Sequence, residues 1–274
     1  VNVKGNNIFN KYTLVQNLKD LNDNKLNDML LQQYKINMLS IHQKKVNLDY
    51  YKNLFKNDKP WIFKNIYGHG GKDIIIINSF NQLTIYINKI IKKNKYKWEK
   101  LDISNYQKLN YFNKSKLLIE WVLQEYIIDP LLYKGKKFHL RGYLIYHNNN
   151  NKKEGYLYND HLIYTAKLPF KNNDYLNKEI HDSHIDSTTE YATLNSNIFN
   201  NLNKANQDKI DNKLKYLFEN ILKFINVRCW PENENCYHIL GSDIMITQDF
   251  NIKLIELNTQ DPGLKQAKNM SLTN

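Results

Sequence analysis

The sequence predicts an α+β fold. Three observations carry this prediction. Short β-branched runs such as Ile74 to Ile77 have strand length, residues 198–225 repeat apolar side chains at helical spacing, and no internal repeat is present. With 274 residues, the chain is long enough for one large domain or two small ones packed together.

Taken in order, residues 13–55 place apolar side chains at helical spacing (Leu14, Leu18, Leu21, then Leu26, Met29, Leu30) and read as a small helical N-terminal segment, residues 1–58. At Pro60 the pattern changes. Trp61-Ile62-Phe63 reads as a strand, a Gly-rich loop follows, and Ile74 to Ile77 suits a buried strand. Ser79 can cap a helix whose core face is Leu83, Ile87, Ile90 and Ile91. Residues 117–126 and 138–146 read as strands separated by the Asp129-Pro130 breaker, which divides residues 59–128 from 129–274. A polar loop at 148–153 precedes a hairpin at 155–166, and residues 171–196 read as a long surface loop. The helix at 198–225 buries Leu214, Leu217, Phe218, Ile221, Leu222 and Ile225, and two strands, 238–246 and 252–257, follow.

Composition excludes several classes. Hydrophobic residues make up 42% and charged residues 24%, which is neither disordered nor fibrous. No run approaches ~18 uncharged apolar residues, so no membrane-spanning helix is expected, and polar residues interrupt every apolar stretch near Val1, so no signal peptide is expected. The net charge of +12 favours an anionic partner. Nearly all the excess is Lys, the only arginines are Arg141 and Arg228, and about one residue in six is Asn, so coding-sequence bias accounts for much of it. Cys229 and Cys236 show neither zinc spacing nor a disulfide framework, and a reducing, cytoplasmic setting is the expectation.

The last two strands are the most informative. Paired through a loop of about four residues at 248–251, they set Asp243 opposite Glu256, with Asn258 on the same face. Facing carboxylates repel, and a divalent cation removes the conflict. Two carboxylates and an amide oxygen are hard ligands suited to Mg²⁺, although a solvated acidic face reads the same way. Lys64 ahead of Gly68-His69-Gly70-Gly71-Lys72 pairs a cation with backbone able to approach phosphate, though a Gly-rich hairpin turn has the same signature. On a strand, Lys137, His139 and Arg141 share one face. Three cations in a row either form a basic solvent face or meet a polyphosphate, and a fixed guanidinium suits a transferring phosphoryl group.

Five motifs occur together in order: Trp61-Ile62-Phe63-Lys64 with its Gly loop, VLQEYIIDPLL from Val122, KKFHLRGYLIY from Lys136, LGSDIMI from Leu240 and LIELNTQDPGLKQ from Leu254. Their order and spacing resemble the tubulin-tyrosine ligase family, a branch of the ATP-grasp ligases, from Trp61 to about Gln266. The resemblance implies an ATP-grasp fold with nucleotide held between two α+β lobes. It implies Lys64 and Lys137 as ATP-phosphate ligands with Gly68, Gly71 and His139 beside them. Gln124, Glu125, Tyr126 and Ile127 would be the adenine segment, and Asp243, Glu256 and Asn258 the Mg²⁺ ligands. Arg141 would sit at the γ-phosphate. His139 stands where many members have Asp, and Asp73 replaces the third Gly of the phosphate loop. Tyr164 falls where an Arg serves the amino-acid substrate, and His184-Ile185-Asp186-Ser187 replaces a His-Leu-Thr-Asn segment.

The resulting expectation is an ATP-dependent carboxylate-amine ligase that adds an amino acid to a protein carboxylate through an acyl-phosphate, with Arg141 and Lys137 acting on the phosphates and Tyr164 and His184 near the amino acid. ATP and Mg²⁺ are the cofactors, and the acceptor is an acidic protein, tubulin being one candidate. The alternative is a catalytically silent nucleotide-binding scaffold for an acidic partner. A nucleic-acid partner is disfavoured, since no RNP or KH pattern is visible.

Overall fold

The computed structural model describes residues 10–57, 59–68, 73–101, 103–149, 152–158, 161–183, 201–225 and 236–258. Its chain divides into two compact units. One comprises Gln32–Ile128 with Asn172–Leu176, and the other comprises Val1–Leu31, Asp129–Lys171 and Asn177–Asn274.

The first unit is built on a four-stranded antiparallel sheet in the order β1-β4-β2-β3, where β1 is Gln33–Asn37, β2 is Trp61–Asn65, β3 is Ile74–Ile77 and β4 is Glu120–Glu125. Side chains alternate across it, so Ile36, Trp61, Phe63, Ile77, Trp121 and Leu123 form one apolar face. That face packs against the helix Phe80–Glu99, which Ser79 caps by accepting from the Gln82 amide. Leu83 and Ile87 are buried as expected, while Ile90 and Ile91 are half-buried and Trp98 takes the last turn. The strand expected from Leu117 begins only at Glu120, because Asn110 caps a helix over Tyr111–Leu117 and Leu118 ends it in the left-handed conformation, φ 54°.

The second unit is organised by one long strand. β6, Lys136–Asn149, pairs along one edge with β9, Cys236–Ile246, which pairs with β10, Ile252–Asn258. The segment 155–166, expected as a hairpin, is not one. β7 (Lys152–Leu157) pairs with residues 144–149 of β6 and β8 (Leu162–Thr165) with residues 138–141, so both lie end to end along β6. A strand of 14 residues offers enough backbone donors and acceptors for two short partners. A two-residue β5, Leu132–Tyr133, also pairs with β6.

The core of this unit is the sheet face carrying Phe138, Leu140, Leu144, Tyr146, Leu240, Ile244 and Leu254, covered by the helix Lys204–Phe224 through Leu214, Leu217, Phe218 and Ile221. Gly155 lies against that helix, and a Cβ there would fall 2.1 Å from Leu222 Cδ1. Gly155→Ala is therefore expected to lower stability by about 1–3 kcal/mol, read as a lower urea midpoint at unchanged slope.

Residues 1–58, expected as one helical segment, divide between the units. Short helices at Thr13–Lys19 and Asn24–Asn27 bury Leu14, Val15, Leu18 and Leu26 in the second unit, and Leu30 bridges Leu254, which covers the outer edge of β10. Gln33–Asn37, read as helical, is instead an edge strand beside β4. Cys236 is disulfide-bonded, which corrects the expectation of two reduced cysteines; the sequence's other cysteine, Cys229, lies outside the described residues.

Candidate active site

In the second unit the face of the sheet opposite the helix-covered core gathers the expected residues. Lys137, His139 and Arg141 project from β6 on that face, as strand alternation requires. Arg141 pairs in register with Asp243, Asp243 with Glu256, and Gly241 with Asn258, so both carboxylates, the amide and the guanidinium share one side.

The physical route differs from the one expected. β9 and β10 close at Ile246 opposite Ile252, leaving a five-residue connection, Thr247 to Asn251, and this register alone would set Asp243 opposite Ile255. A shift between Leu254 and Glu256 absorbs one residue and restores the Asp243–Glu256 pairing. A bulge therefore aims both Glu256 and Asn258 at Asp243.

Asp243 is 1% exposed and held by a fork: Arg141 Nε donates to Oδ1 at 2.5 Å and Nη2 to Oδ2 at 3.1 Å. Burial opposes the charge on Arg141, but the charge and hydrogen bonds of Asp243 outweigh it, and the guanidinium pKa lies above its ordinary value. Asn258 Nδ2 donates to Asp243 Oδ2 at 3.3 Å, and Lys11 Nζ lies 3.4 Å from Glu256 Oε2. The His139 ring stacks on Tyr164 at 5.0 Å, its Nδ1 meets Ser183 Oγ at 2.5 Å, and its Nε2 is 3.7 Å from Asp243 Oδ1. Tyr164 is buried, with the Arg141 guanidinium 5.5 Å from its ring centre. Burial pulls the Lys137 ammonium down to about 7, with the charge of Asp182 opposing it. The row of cations thus meets protein carboxylates, Asp243 and Asp182, and mutual repulsion does not by itself call for a polyphosphate.

In the first unit, Lys64 and Gln124 share the sheet face opposite the apolar one, together with Gln33, Ile62 and Val122. Lys64, Gln124 and Gln33 are buried, and neither side-chain amide atom of Gln33 has a hydrogen-bond partner. A buried amide lacking partners costs free energy that a polar planar ligand on this face would recover. Glu125 projects to the other face and pairs with Lys59 at 2.5 Å, while Tyr126 and Ile127 are buried, Tyr126 edge-on to Tyr175 at 5.7 Å. Gly68 closes a tight turn, its amide donating to the Asn65 carbonyl at 3.1 Å. Gly71 and His184 lie outside the described residues.

Sequence reasoning missed four residues. Lys11 and Gln33 sat in a segment read only for helical periodicity, and Asp182 and Ser183 in a stretch read as loop. Lys167, two residues beyond the end of β8, is exposed and pairs with Glu179 at 2.7 Å.

Among the described residues no group of three or more His, Cys, Asp and Glu side chains gathers around a common point. Asp243, Glu256 and the Asn258 amide oxygen form an incomplete set of hard donors, which fits Mg²⁺ because this ion retains waters and takes phosphate oxygens. Glu256→Gln is expected to alter stability by no more than about 1–2 kcal/mol, since loss of the mostly buried pair with Lys11 is offset by relief of the charge facing Asp243, while Mg-ATP affinity falls at least about tenfold. Thermal unfolding and equilibrium nucleotide titration read the two effects separately.

Comparison with known proteins bears on the family and the fold. The sequence profile described as Tubulin-tyrosine ligase family matches residues 4–273. A probable tubulin–tyrosine ligase of Schizosaccharomyces pombe is 26% identical over 161 residues, covering 55% of this chain and 38% of that protein. The chain thus spans less than two fifths of that relative. Among solved structures, the C-terminal domain of K. lactis Pby1, described as an ATP-grasp enzyme interacting with the mRNA decapping enzyme Dcp2, matches 93% of this chain and 67% of that chain with a TM-score of 0.58. At 18% identity the likeness is one of fold. With the family profile covering nearly the whole chain, the protein belongs to the tubulin-tyrosine ligase family and has the ATP-grasp fold.

Proposed function

We propose that this ATP-grasp, ligase-like protein joins an amino acid to the carboxylate of an acidic protein acceptor at the expense of ATP. The observation that carries the reading is the convergence of Asp243, Glu256, Asn258 and Arg141 on one sheet face, produced by a bulge that also lets Leu254 and Leu257 both reach the core. The γ-phosphoryl group passes to a carboxylate oxygen and ADP leaves; the amine then attacks the acyl carbon, phosphate departs, and the amine loses a proton. Asp243, Glu256 and Asn258 would hold a divalent ion, which would supply charge neutralisation at the phosphates. Lys64 and Lys137 bind phosphate oxygens, Arg141 stabilises the transferring group, and Gln33 and Gln124 meet the polar edge of the base.

A second reading, nucleotide binding without catalysis, draws on Tyr164 stacked flat on His139 where an arginine for the amino-acid substrate was expected. One incubation separates the two: protein, Mg-ATP, each amino acid in turn, and acidic acceptors including tubulin, read by intact mass. The ligase reading expects an ATP-dependent gain equal to one amino acid less water. Nucleotide binding without a gain on any acceptor overturns it in favour of the scaffold.

A further inference from the structure

Coding-sequence bias loads the whole chain with lysine, yet its two long helices use that lysine differently. The helix Lys204–Phe224 intersperses Asp208, Asp211 and Glu219 among its lysines, and Lys204 pairs with Asp208 at 2.9 Å. The helix Phe80–Glu99 does not. From Lys89 to its C-cap it carries six lysines, Lys89, Lys92, Lys93, Lys95, Lys97 and Lys100, against one acid, Glu99, whose carboxylate lies 4.0 Å from His42. All six are exposed, and none forms an ion pair with a described residue. At 3.6 residues per turn, Lys89, Lys92, Lys93 and Lys100 fall with Ile85 and Tyr96 inside an arc of about 100°, opposite the side that buries Leu83, Ile87 and Trp98.

Like charges three and four residues apart on a helix repel, so this face lowers the stability of the free protein. The helix macrodipole offsets the repulsion within the last turn, at Lys97 and Lys100, and leaves Lys89, Lys92 and Lys93 uncompensated. Core packing uses the opposite side of the helix and does not require the arrangement. A row of anions laid along the helix would remove the conflict, and the surroundings select their kind. Residues 32–128 contain no arginine, so the planar fork suited to phosphate is missing. The Tyr96 hydroxyl accepts from Lys100 Nζ at 2.6 Å, and the same ammonium stands 4.1 Å from the ring centre, where a stacked base would lie. Ile85 is the one exposed large aliphatic side chain of the helix, too little to enter a bilayer. Carboxylates remain. Lysines four residues apart are separated by about 6 Å along a helix axis, close to the roughly 6–7 Å between alternate side chains of an extended chain.

We propose that the exposed face of the Phe80–Glu99 helix is a docking surface for an extended, Glu- or Asp-rich segment of a partner protein, held by Lys89, Lys92, Lys93 and Lys100. In making that partner an acidic protein the inference rests on the acceptor reading above, and it adds where on this chain the acidic segment is gripped. Binding at this face needs neither nucleotide nor metal, so it is measured without them.

The test uses the full chain and a fluorescein-labelled peptide rich in glutamate, titrated by anisotropy without ATP. Combining Lys89→Glu, Lys92→Glu and Lys93→Glu is expected to weaken peptide binding at least about tenfold. Combining Lys204→Glu, Lys209→Glu and Lys215→Glu makes the same change in net charge on the other long helix and should weaken it by no more than about threefold. Circular dichroism melts establish folding, and if the first triple melts below the assay temperature, the same three positions changed to Gln carry the comparison. Equal losses in the two triples, or a wild-type chain that does not bind the peptide, overturn the inference. So does tighter binding of a single-stranded RNA of matched charge, or of phosphatidylserine vesicles, that the first triple abolishes. Peptide binding lost in the first triple, with no mass gain on any acceptor, leaves the docking surface standing and removes the ligase reading. A mass gain on an acceptor whose affinity is indifferent to that triple does the reverse.

Discussion

Arg141→Met is expected to destabilise the protein by about 3–5 kcal/mol, because it strands the Asp243 carboxylate, 1% exposed, without its counter-charge. Asn258 donates one hydrogen bond to that carboxylate, and His139 stands 3.7 Å away, so some compensation remains and the lower end of the range is favoured. Urea unfolding at constant slope is the measurement. Arg141→Lys separates structure from chemistry. It keeps the positive charge but can offer Asp243 only a point contact in place of the two-pronged fork, so most of the stability returns. On the proposed function, nucleotide is expected still to bind in this variant and turnover to fall by about 10²–10³, because the planar donor proposed for the transferring phosphoryl is lost. A Lys variant with wild-type turnover would reduce Arg141 to a structural partner of Asp243.

The second large effect is at Lys137. Burial lowers its ammonium from 10.5 to about 7, against the charge of Asp182, so the folded protein binds this proton less tightly than the unfolded chain. Below about pH 7 both states carry the proton, and above about 10.5 neither does. Between these values the unfolded chain holds more protons, and stability rises with pH across the window. Lys137→Met should therefore stabilise the free protein near pH 6 by a few kcal/mol and flatten the rise between pH 7 and 10.5. The same substitution should weaken ATP binding by about 10–100-fold, through loss of a desolvated charge-assisted contact to phosphate. In the wild type at pH 8, nucleotide binding should take up a proton, since phosphate favours the charged amine. Calorimetry in buffers of different ionisation enthalpy reads that uptake. Binding without proton uptake would place the phosphates away from Lys137.

Much of the site is legible in the sequence, because it rests on short-range periodicity. Alternation along β6 puts Lys137, His139 and Arg141 on one face whatever lies around them, and the apolar stripe through Leu214, Leu217 and Ile221 determines a buried helix in the same way. The Asp243–Glu256 pairing was also anticipated, although a four-residue loop was the assumed cause and the bulge before Glu256 is the actual one. Local pattern does not mark such a bulge, since Ile255 reads as an ordinary apolar residue of the last strand.

The sequence by itself determined which side chains of a strand share a face, that Ser79 caps a helix, and which stripe of the Lys204–Phe224 helix is buried, although that helix starts six residues later than its periodicity suggests. Tertiary structure alone decided who meets them. Lys11 reaches Glu256 because the N-terminal segment closes the edge of β10 through Leu30 and Leu254, more than two hundred residues apart in the chain. Gln33 joins the face of Lys64 and Gln124 only because residues 33–37, helical by local pattern, pair with β4. Helical and strand periodicities differ little over five residues, and the free energy of joining an open sheet edge outweighs a weak local propensity. Residues 152–165 divide between two half-lengths of β6 because that strand's unpaired edge could satisfy both segments, a demand set by backbone hydrogen bonding across the sheet rather than by the residues of either segment.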